Sequence, residues 1–384
     1  MQFLIYLILI LAAAAIWQIV RVVELSNDLK GENPNKVKES DNRMNGVFMI
    51  SFVTIFFIWT IWQLFEYGER TLPVSASEQG QRIDELMNFN WWIVISVFFL
   101  TNAVLFYFAY KYYGRDNNRA TYYAHNNRLE MLWTGIPAVV LAVIIFWGIT
   151  LWNDITDESP SKAVRVEVYS KQFNWVARYA GVDSTLGKAS YRFISGTNEL
   201  GLDTTDVKGQ DDVIVTELHM PVGEEIDIRF RSQDVIHSAF LPHFRMQMNT
   251  VPGMLTGMHF KPTITTDSMR RRPEVIAHIA EVNEIRKQKG EEPIVFDYWL
   301  LCNKICGPSH WNMKMKIVVE SREQFDKWIA GQKTFGTAAP AVKTGGGGTD
   351  NVQPQDSVGA TTAPVKSPMG NSGNPDQGGG GPTK

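Results

Sequence analysis

The chain has 384 residues, 37 Lys and Arg against 40 Asp and Glu, a formal net charge of −3 and 45% hydrophobic residues. So small a charge offers no electrostatic footprint for a nucleic-acid partner, and Walker, Rossmann and zinc-finger spacings are absent. The length allows more than one domain, and composition divides the chain: residues 1–155 are rich in Phe, Trp and Ile, whereas residues 336–384 are mostly Gly, Pro, Thr and Ser.

Four apolar runs reach the length of a membrane-crossing helix: Phe3 to Val20, Val47 to Phe65, Trp91 to Tyr110 and Met131 to Trp152. A spanning helix needs about 20 residues. None of the runs carries an internal Lys, Arg, Asp or Glu, each of which costs about 3 kcal/mol at mid-bilayer. The first run resembles a signal sequence, but its first charge, Arg21, follows the apolar stretch instead of preceding it. Basic residues set the orientation. Arg21, Lys30, Lys36, Lys38 and Arg43 fill the first connection, and Lys111, Arg115, Arg119 and Arg128 the third; the second has only Arg70 and Arg82. Connections one and three are therefore expected inside, and everything after Trp152 outside.

From about Pro160 the pattern turns to strands. Val164 to Tyr169, Val213 to Met220, Glu225 to Phe230 and Lys314 to Glu320 alternate apolar and polar residues between turn signals. Short strands of this kind predict an all-β Greek-key sandwich or barrel. Between them, Ile276, Ile279, Val282 and Ile285 recur at helical spacing, with Pro273 at the start and Gly290 at the stop. An inserted helix is expected at about 272–290, lying on the β-domain's surface or against a neighbouring subunit. The expected boundaries are a first span and loop (1–45), a second span and loop (46–90), a transmembrane hairpin (91–157), a β-domain (158–335) and a tail (336–384). The tail is too poor in apolar side chains to offset its ordering entropy and reads as disordered.

The stretch Leu301 to Met313, LCNKICGPSHWNM, holds both cysteines of the chain, Cys302 and Cys306, with His310 and Met313 close behind. Two thiols, an imidazole and a thioether suit copper. A disulfide would close a tiny loop and leave His310 and Met313 without a role. Zinc has no use for a methionine, C-x-x-C-H for a c-type haem is absent, and a single blue copper takes only one cysteine. Two thiolates bridging two coppers use the whole set. A second imidazole must then come from elsewhere, and His237 in Asp234-Val-Ile-His237 is the best candidate.

C-x-x-x-C-G-x-x-H-x-x-M, preceded by D-V-x-H-S, resembles the dinuclear copper (CuA) site of cytochrome c oxidase subunit II. The resemblance covers the last two runs and the domain after them, and implies a cupredoxin fold. It implies that His237 and His310 each bind one copper, that Cys302 and Cys306 bridge both, and that Met313 and the backbone carbonyl of Lys304 are the weak ligands. Glu130 to Pro137 resembles the family's E-x-x-W-T-x-x-P, whose glutamate lies at the mouth of a proton pathway into subunit I. Gln172-Phe173-Asn174-Trp175 resembles the family's Q-W-x-W near the copper, with Phe173 in place of the tryptophan that relays electrons and Trp175 kept. Asp234 matches a carboxylate near the cytochrome docking face. Lys304 departs from the family's C-x-E-x-C, whose glutamate side chain helps hold a Mg²⁺ ion against subunit I, so this metal is not expected here.

The resemblance implies an oxidase component that takes electrons from cytochrome c and passes them to the haems of subunit I. Oxygen is reduced there and protons are pumped; this chain carries no haem and no oxygen site. The implied partners are subunit I, other oxidase subunits, cytochrome c or a cytochrome c domain, and membrane lipid. The copper subunit of a nitric oxide reductase and a membrane-anchored copper-delivery protein are the alternative readings. The first two apolar runs have no counterpart in the family's usual two-helix pattern.

Overall fold

The structure, a computed structural model, describes residues 2–29, 37–115 and 117–338. Four long helices come first: α1 (Gln2–Leu29), α2 (Glu39–Tyr67), α3 (Glu78–Lys111) and α4 (Asn127–Thr156). Among the described residues three helices are long and apolar enough to cross a membrane, spanning 39–70, 78–111 and 127–156. The first expected span falls within α1, several of whose side chains lie outside the described residues. Lys30 and Lys36, used in the charge argument, lie outside them as well, as do residues 339–384 of the expected disordered tail. Helix α2 packs along α3 through aromatic pairs such as Phe57–Phe99, with centroids 4.7 Å apart. It also approaches closely at Gly46, where a Cβ would lie 3.3 Å from the Tyr110 backbone.

Helix α3 has 34 residues, about 51 Å at the usual rise, against a hydrocarbon core of about 30 Å. Its surplus lies at the start, where the segment before it is tied into the β-domain. Ser77 caps the helix by accepting from Gly80 N at 2.9 Å and donates to Phe244 O at 2.7 Å. Ala76 N donates to His243 O at 2.6 Å, Thr263 N to Ala76 O at 2.8 Å and Glu78 N to Lys261 O at 3.0 Å. Arg245 pairs with Asp84 at 2.7 Å. Gly80 admits this close approach, because a Cβ would sit 3.0 Å from Phe244 O.

The β-domain contains β1 (Val164–Lys171), β2 (Asn174–Tyr179), β3 (Val213–Val215), β4 (Leu218–Pro221), β5 (Ile226–Ser232), β6 (His237–Leu241), β7 (Met246–Thr250), β8 (Thr256–Phe260), β9 (Tyr298–Cys302) and β10 (Lys314–Glu320). They form two five-stranded sheets, ordered β3-β2-β1-β5-β8 and β4-β10-β9-β6-β7. The core lies between them. Val166, Val168, Ile226, Ile228 and Phe230 from one sheet meet Leu241, Leu300, Met315, Ile317 and Val319 from the other, all buried. This is the all-β cupredoxin-like sandwich expected. The run Val213 to Met220, expected as one strand, is two: β3 belongs to the first sheet and β4 to the second, with the chain crossing at Thr216-Glu217.

Strand β1 alternates as expected, yet it is buried on both faces. Its outer face is covered by the excursion between β2 and β3. Leu200 and Leu202 from the excursion pack with Tyr169, Val176 and Phe335. Glu167, on that outer face, pairs with Arg178 at 2.8 Å and with Arg231; Arg178 also pairs with Asp212 at 3.0 Å. Burial opposes ionisation of Glu167, but the two guanidiniums outweigh it and hold its carboxyl below the usual range. Asp212, facing one guanidinium only, is pushed up by burial to about 6.

The inserted segment is helical, as α5 (Thr266–Arg270) and α6 (Pro273–Gln288). Helix α6 turns Val275 and Ile279 to the core, while Ile276 and Ile285, expected on the same face, are exposed. Asn283 clamps Ile294, beyond the helix, through paired hydrogen bonds of 2.9 and 2.8 Å. After α7 (Arg322–Ala330), the short α8 (Phe335–Ala338) carries ordered structure past the expected boundary at 335. There Phe335 N and Gly336 N each donate at 2.8 Å, to Asp212 O and Gln210 O.

Candidate metal centre

Strand β6 begins at His237, β9 ends at Cys302, and Met313 directly precedes β10. These three strands are neighbours in one sheet, so their donor residues meet at one end of the sandwich. Pairing fixes the register: Ala239 lies opposite Cys302 and Leu301 opposite Lys314. Cys302 N donates to Met313 O at 3.1 Å and Asn303 N to Ser238 O at 3.0 Å, which closes the loop onto both neighbouring strands. The other end of β6 leads into the Pro242–Phe244 turn that holds the start of α3.

All the expected donors converge. Cys302 Sγ lies 3.8 Å from Cys306 Sγ, 3.8 Å from His237 Nδ1 and 3.2 Å from Lys304 O. Cys306 Sγ lies 3.6 Å from His310 Nδ1 and 3.8 Å from Met313 Sδ. Both cysteines are free thiols. Each sulfur thus has its own imidazole and its own weak donor, an arrangement with room for two soft metal ions between the thiols. Among the described residues, His237, Cys302 and Cys306 are the one group of three or more His, Cys, Asp or Glu side chains placed to hold a metal. Burial and the adjacent Cys302 thiol push the Cys306 thiol up to about 11, so loading a metal must displace protons. The donor set fits a dinuclear copper.

Asp234 is more than a surface charge. Its Oδ1 accepts from His237 Nε2 at 2.9 Å and from Val235 N at 2.7 Å, and its Oδ2 accepts from Gln172 N at 2.7 Å. Partial burial raises its pKa, but the hydrogen bonds from His237, Gln172 and Val235 outweigh this and hold the carboxyl low. A carboxylate on Nε2 leaves the Nδ1 lone pair of His237 directed at the thiols, the usual partner arrangement of a metal-bound histidine.

Sequence reasoning missed two supports. Gln172 donates through its side chain to Cys306 O. Gly307 adopts φ +141°, and a Cβ there would stand 2.8 Å from the Phe173 ring and 2.9 Å from the Gln172 side chain. The β1–β2 turn therefore lies directly on the donor loop. A Gly-Pro pair such as Gly307-Pro308 signals a turn in any sequence, but only its neighbour across the fold requires glycine there. Trp175 sets its ring edge-on to His237, with centroids 6.0 Å apart, and is 1% exposed; Phe173 is half-buried. Glu130 is far off in sequence and fold, exposed in the first turn of α4, where its carboxylate accepts from Asn126 N at 3.4 Å. Lys304 is exposed.

Fold and site together define a membrane-anchored, cupredoxin-like β-domain with a cluster of thiol, imidazole and thioether groups at one end. Residues 60–151 match the transmembrane domain of cytochrome c oxidase subunit II. The alternative cytochrome c oxidase subunit 2 of Bradyrhizobium diazoefficiens is 30% identical over 255 residues, covering 66% of this chain and 81% of the relative. Cytochrome c oxidase subunit 2 of Synechocystis is 22% identical over 311 residues, covering 76% and 82%. Among solved structures, the periplasmic domain of subunit II of cytochrome oxidase from Bradyrhizobium japonicum is similar over 45% of this chain and 95% of its own, at 19% identity and a TM-score of 0.28. The chain belongs to the cytochrome c oxidase subunit II family.

Proposed function

We propose that this chain is the electron-accepting subunit of a haem-copper oxidase that uses cytochrome c as donor. The observation that carries the reading is the convergence of two thiols, two imidazoles, a thioether and a carbonyl at the end of β6, β9 and β10. Cys302, Cys306, His237, His310, Met313 and the Lys304 carbonyl would together hold two coppers. Bound there, a dinuclear copper would supply one-electron storage shared over two metals, with little change in bond length. Asp234 holds His237 in its metal-binding tautomer. Gln172 and Phe173 cover the loop, and Trp175 walls His237 from water. Phe173, Trp175 and Asp234 lie on the side from which we expect the donor to approach. Electrons would pass to the haems of subunit I, where oxygen is reduced with proton pumping.

Four spans, including α1, would place the β-domain in the bacterial periplasm, with lipid, subunit I and further oxidase subunits as neighbours. Metal analysis and electron paramagnetic resonance of the purified complex test the centre. The expected result is two coppers on this chain with a mixed-valence signal, lost in Cys306→Ser. One isolated Cu(II), or zinc, would overturn it. Glu130, at the opposite end of α4 from the β-domain, would deliver protons toward subunit I. Glu130→Gln should slow oxygen consumption and leave the copper signal intact; unchanged turnover would reduce Glu130 to a helix-capping carboxylate.

A further inference from the structure

The family resemblance implies a Mg²⁺ ion beside the donor loop, held in part by an acidic side chain at the position of Lys304. The residues present do not fit it. Mg²⁺ takes oxygen ligands in octahedral geometry, whereas an ammonium offers three donors and no acceptor. The nearby amides are engaged with one another: Asn303 Nδ2 donates to Gln247 Oε1 at 3.3 Å, and Gln247 Nε2 donates to Ser238 Oγ at 3.3 Å. Among the described residues, the one cluster placed to hold a metal is the thiolate centre itself.

Lys304 works on two sides of the loop. Its carbonyl lies 3.2 Å from Cys302 Sγ, turned toward the donors. Its side chain is exposed and makes no ion pair or hydrogen bond among the described residues. The next residue, Ile305, is 87% exposed, so a free ammonium and a bare isoleucine share one outward turn, directly over the metal donors. The bare isoleucine is the feature that suits a covered surface; the ammonium by itself is at ease in water. When water is excluded, the charge needs a carboxylate partner, because an unpaired buried ammonium is strongly unfavourable.

We infer that no divalent cation is bound at this contact, and that the Lys304 ammonium takes its place as a fixed positive charge paired with a carboxylate side chain of the neighbouring catalytic subunit. The inference rests on the oxidase-subunit reading. It differs from a metal bridge in being part of the chain: it cannot exchange, and chelators cannot remove it. The pair is a charge-assisted hydrogen bond, stronger than a neutral one, and it would form as the subunits assemble.

The complex purified from cells grown in manganese tests it, since Mn²⁺ occupies oxygen-ligated Mg²⁺ sites and is visible by paramagnetic resonance. The expected result is well under about one-tenth of a tightly held Mn²⁺ per wild-type complex, rising toward one in Lys304→Glu, which restores a hard oxygen ligand. One slowly exchanging Mn²⁺ in the wild type, unchanged by that substitution, would overturn the inference. Carbodiimide coupling supplies the second arm. The wild-type complex should yield an isopeptide bond between Lys304 and a carboxylate of the catalytic subunit, absent in Lys304→Gln. Coupling of Lys304 to haem propionate, or no coupling while other lysines react, would count against the pairing. The copper signal of the same samples separates the two levels: its loss would sink the oxidase-subunit reading, whereas intact copper beside a bound Mn²⁺ would sink only the Lys304 inference.

Discussion

In the loop Leu301–Met313 the donor atoms stand 3.2 to 3.8 Å apart around two free thiols. They are gathered by strand ends, and one side of the loop is open to solvent at Lys304 and Ile305. On the outer face of the other sheet, Glu167, Arg178 and Asp212 are paired at 2.8 to 3.0 Å under the excursion between β2 and β3, nearly sealed from water. Both regions bring polar groups together through long-range contacts. They differ in what settles the account of those groups. The donors of the loop include no cationic side chain, and burial beside the Cys302 thiol pushes the Cys306 thiol up to about 11. The ionic cluster carries its own cations, Arg178 and Arg231, and needs nothing from outside. One region is a place where chemistry can be inserted; the other is closed.

Breaking the cluster gives the largest expected effect. Arg178→Met removes the partner of Asp212, which is fully buried and holds one further hydrogen bond, from Gly187 N at 3.0 Å. Glu167 keeps Arg231. Removing one partner of a buried ion pair typically costs about 3–5 kcal/mol. Chemical denaturation of the purified complex, followed through the β-domain, should show a loss of that size, while any copper signal in the folded fraction keeps its shape. A loss below about 1 kcal/mol, the range of an exposed pair, would mean that the cluster is merely buried and holds nothing together.

The same contrast explains what the sequence disclosed. The donor loop was legible because a soft dinuclear site demands particular residue types within a few positions, and Cys302, Cys306, His310 and Met313 meet that demand locally. His237 was reachable through its flanking residues. The spans α2 to α4 and strand β10 were legible from hydropathy and alternation. The ionic cluster had no local signature: Glu167, Arg178, Asp212 and Arg231 come from four separate segments, and nothing in the residues around Asp212 says that it will lie under a guanidinium. The outer burial of β1 was hidden for the same reason, since alternation describes a strand with one wet face. The break at Thr216-Glu217 was invisible because apolar residues lie on both sides of it and no Gly or Pro separates the two halves. The inward face of α6 was misjudged because Ile276 and Ile285 are as apolar as Ile279, and helical spacing alone does not say which part of an apolar stripe meets the core.

Asp234→Asn sharpens the comparison from the other side, with a smaller effect. The carboxylate accepts from three N–H groups, His237 Nε2 and Val235 N at one oxygen and Gln172 N at the other. An amide has one oxygen and one NH₂ group. If its oxygen stays with His237, the NH₂ faces Gln172 N and two donors oppose each other. If it turns over, the NH₂ faces His237 Nε2, which must then accept, and the proton moves to Nδ1, the atom aimed at Cys302. Either choice costs a hydrogen bond, and the second also blocks a metal ligand. Loss of such a partner typically lowers metal affinity by about 10- to 100-fold. Copper release to a chelator should therefore be faster in Asp234→Asn, and the apparent KM for reduced cytochrome c should change less than copper retention does. If copper is retained as in the wild type while KM rises and loses its salt dependence, Asp234 serves docking alone. The bond to His237 would then be incidental, and the thiolate loop would need no support from the strand beside it.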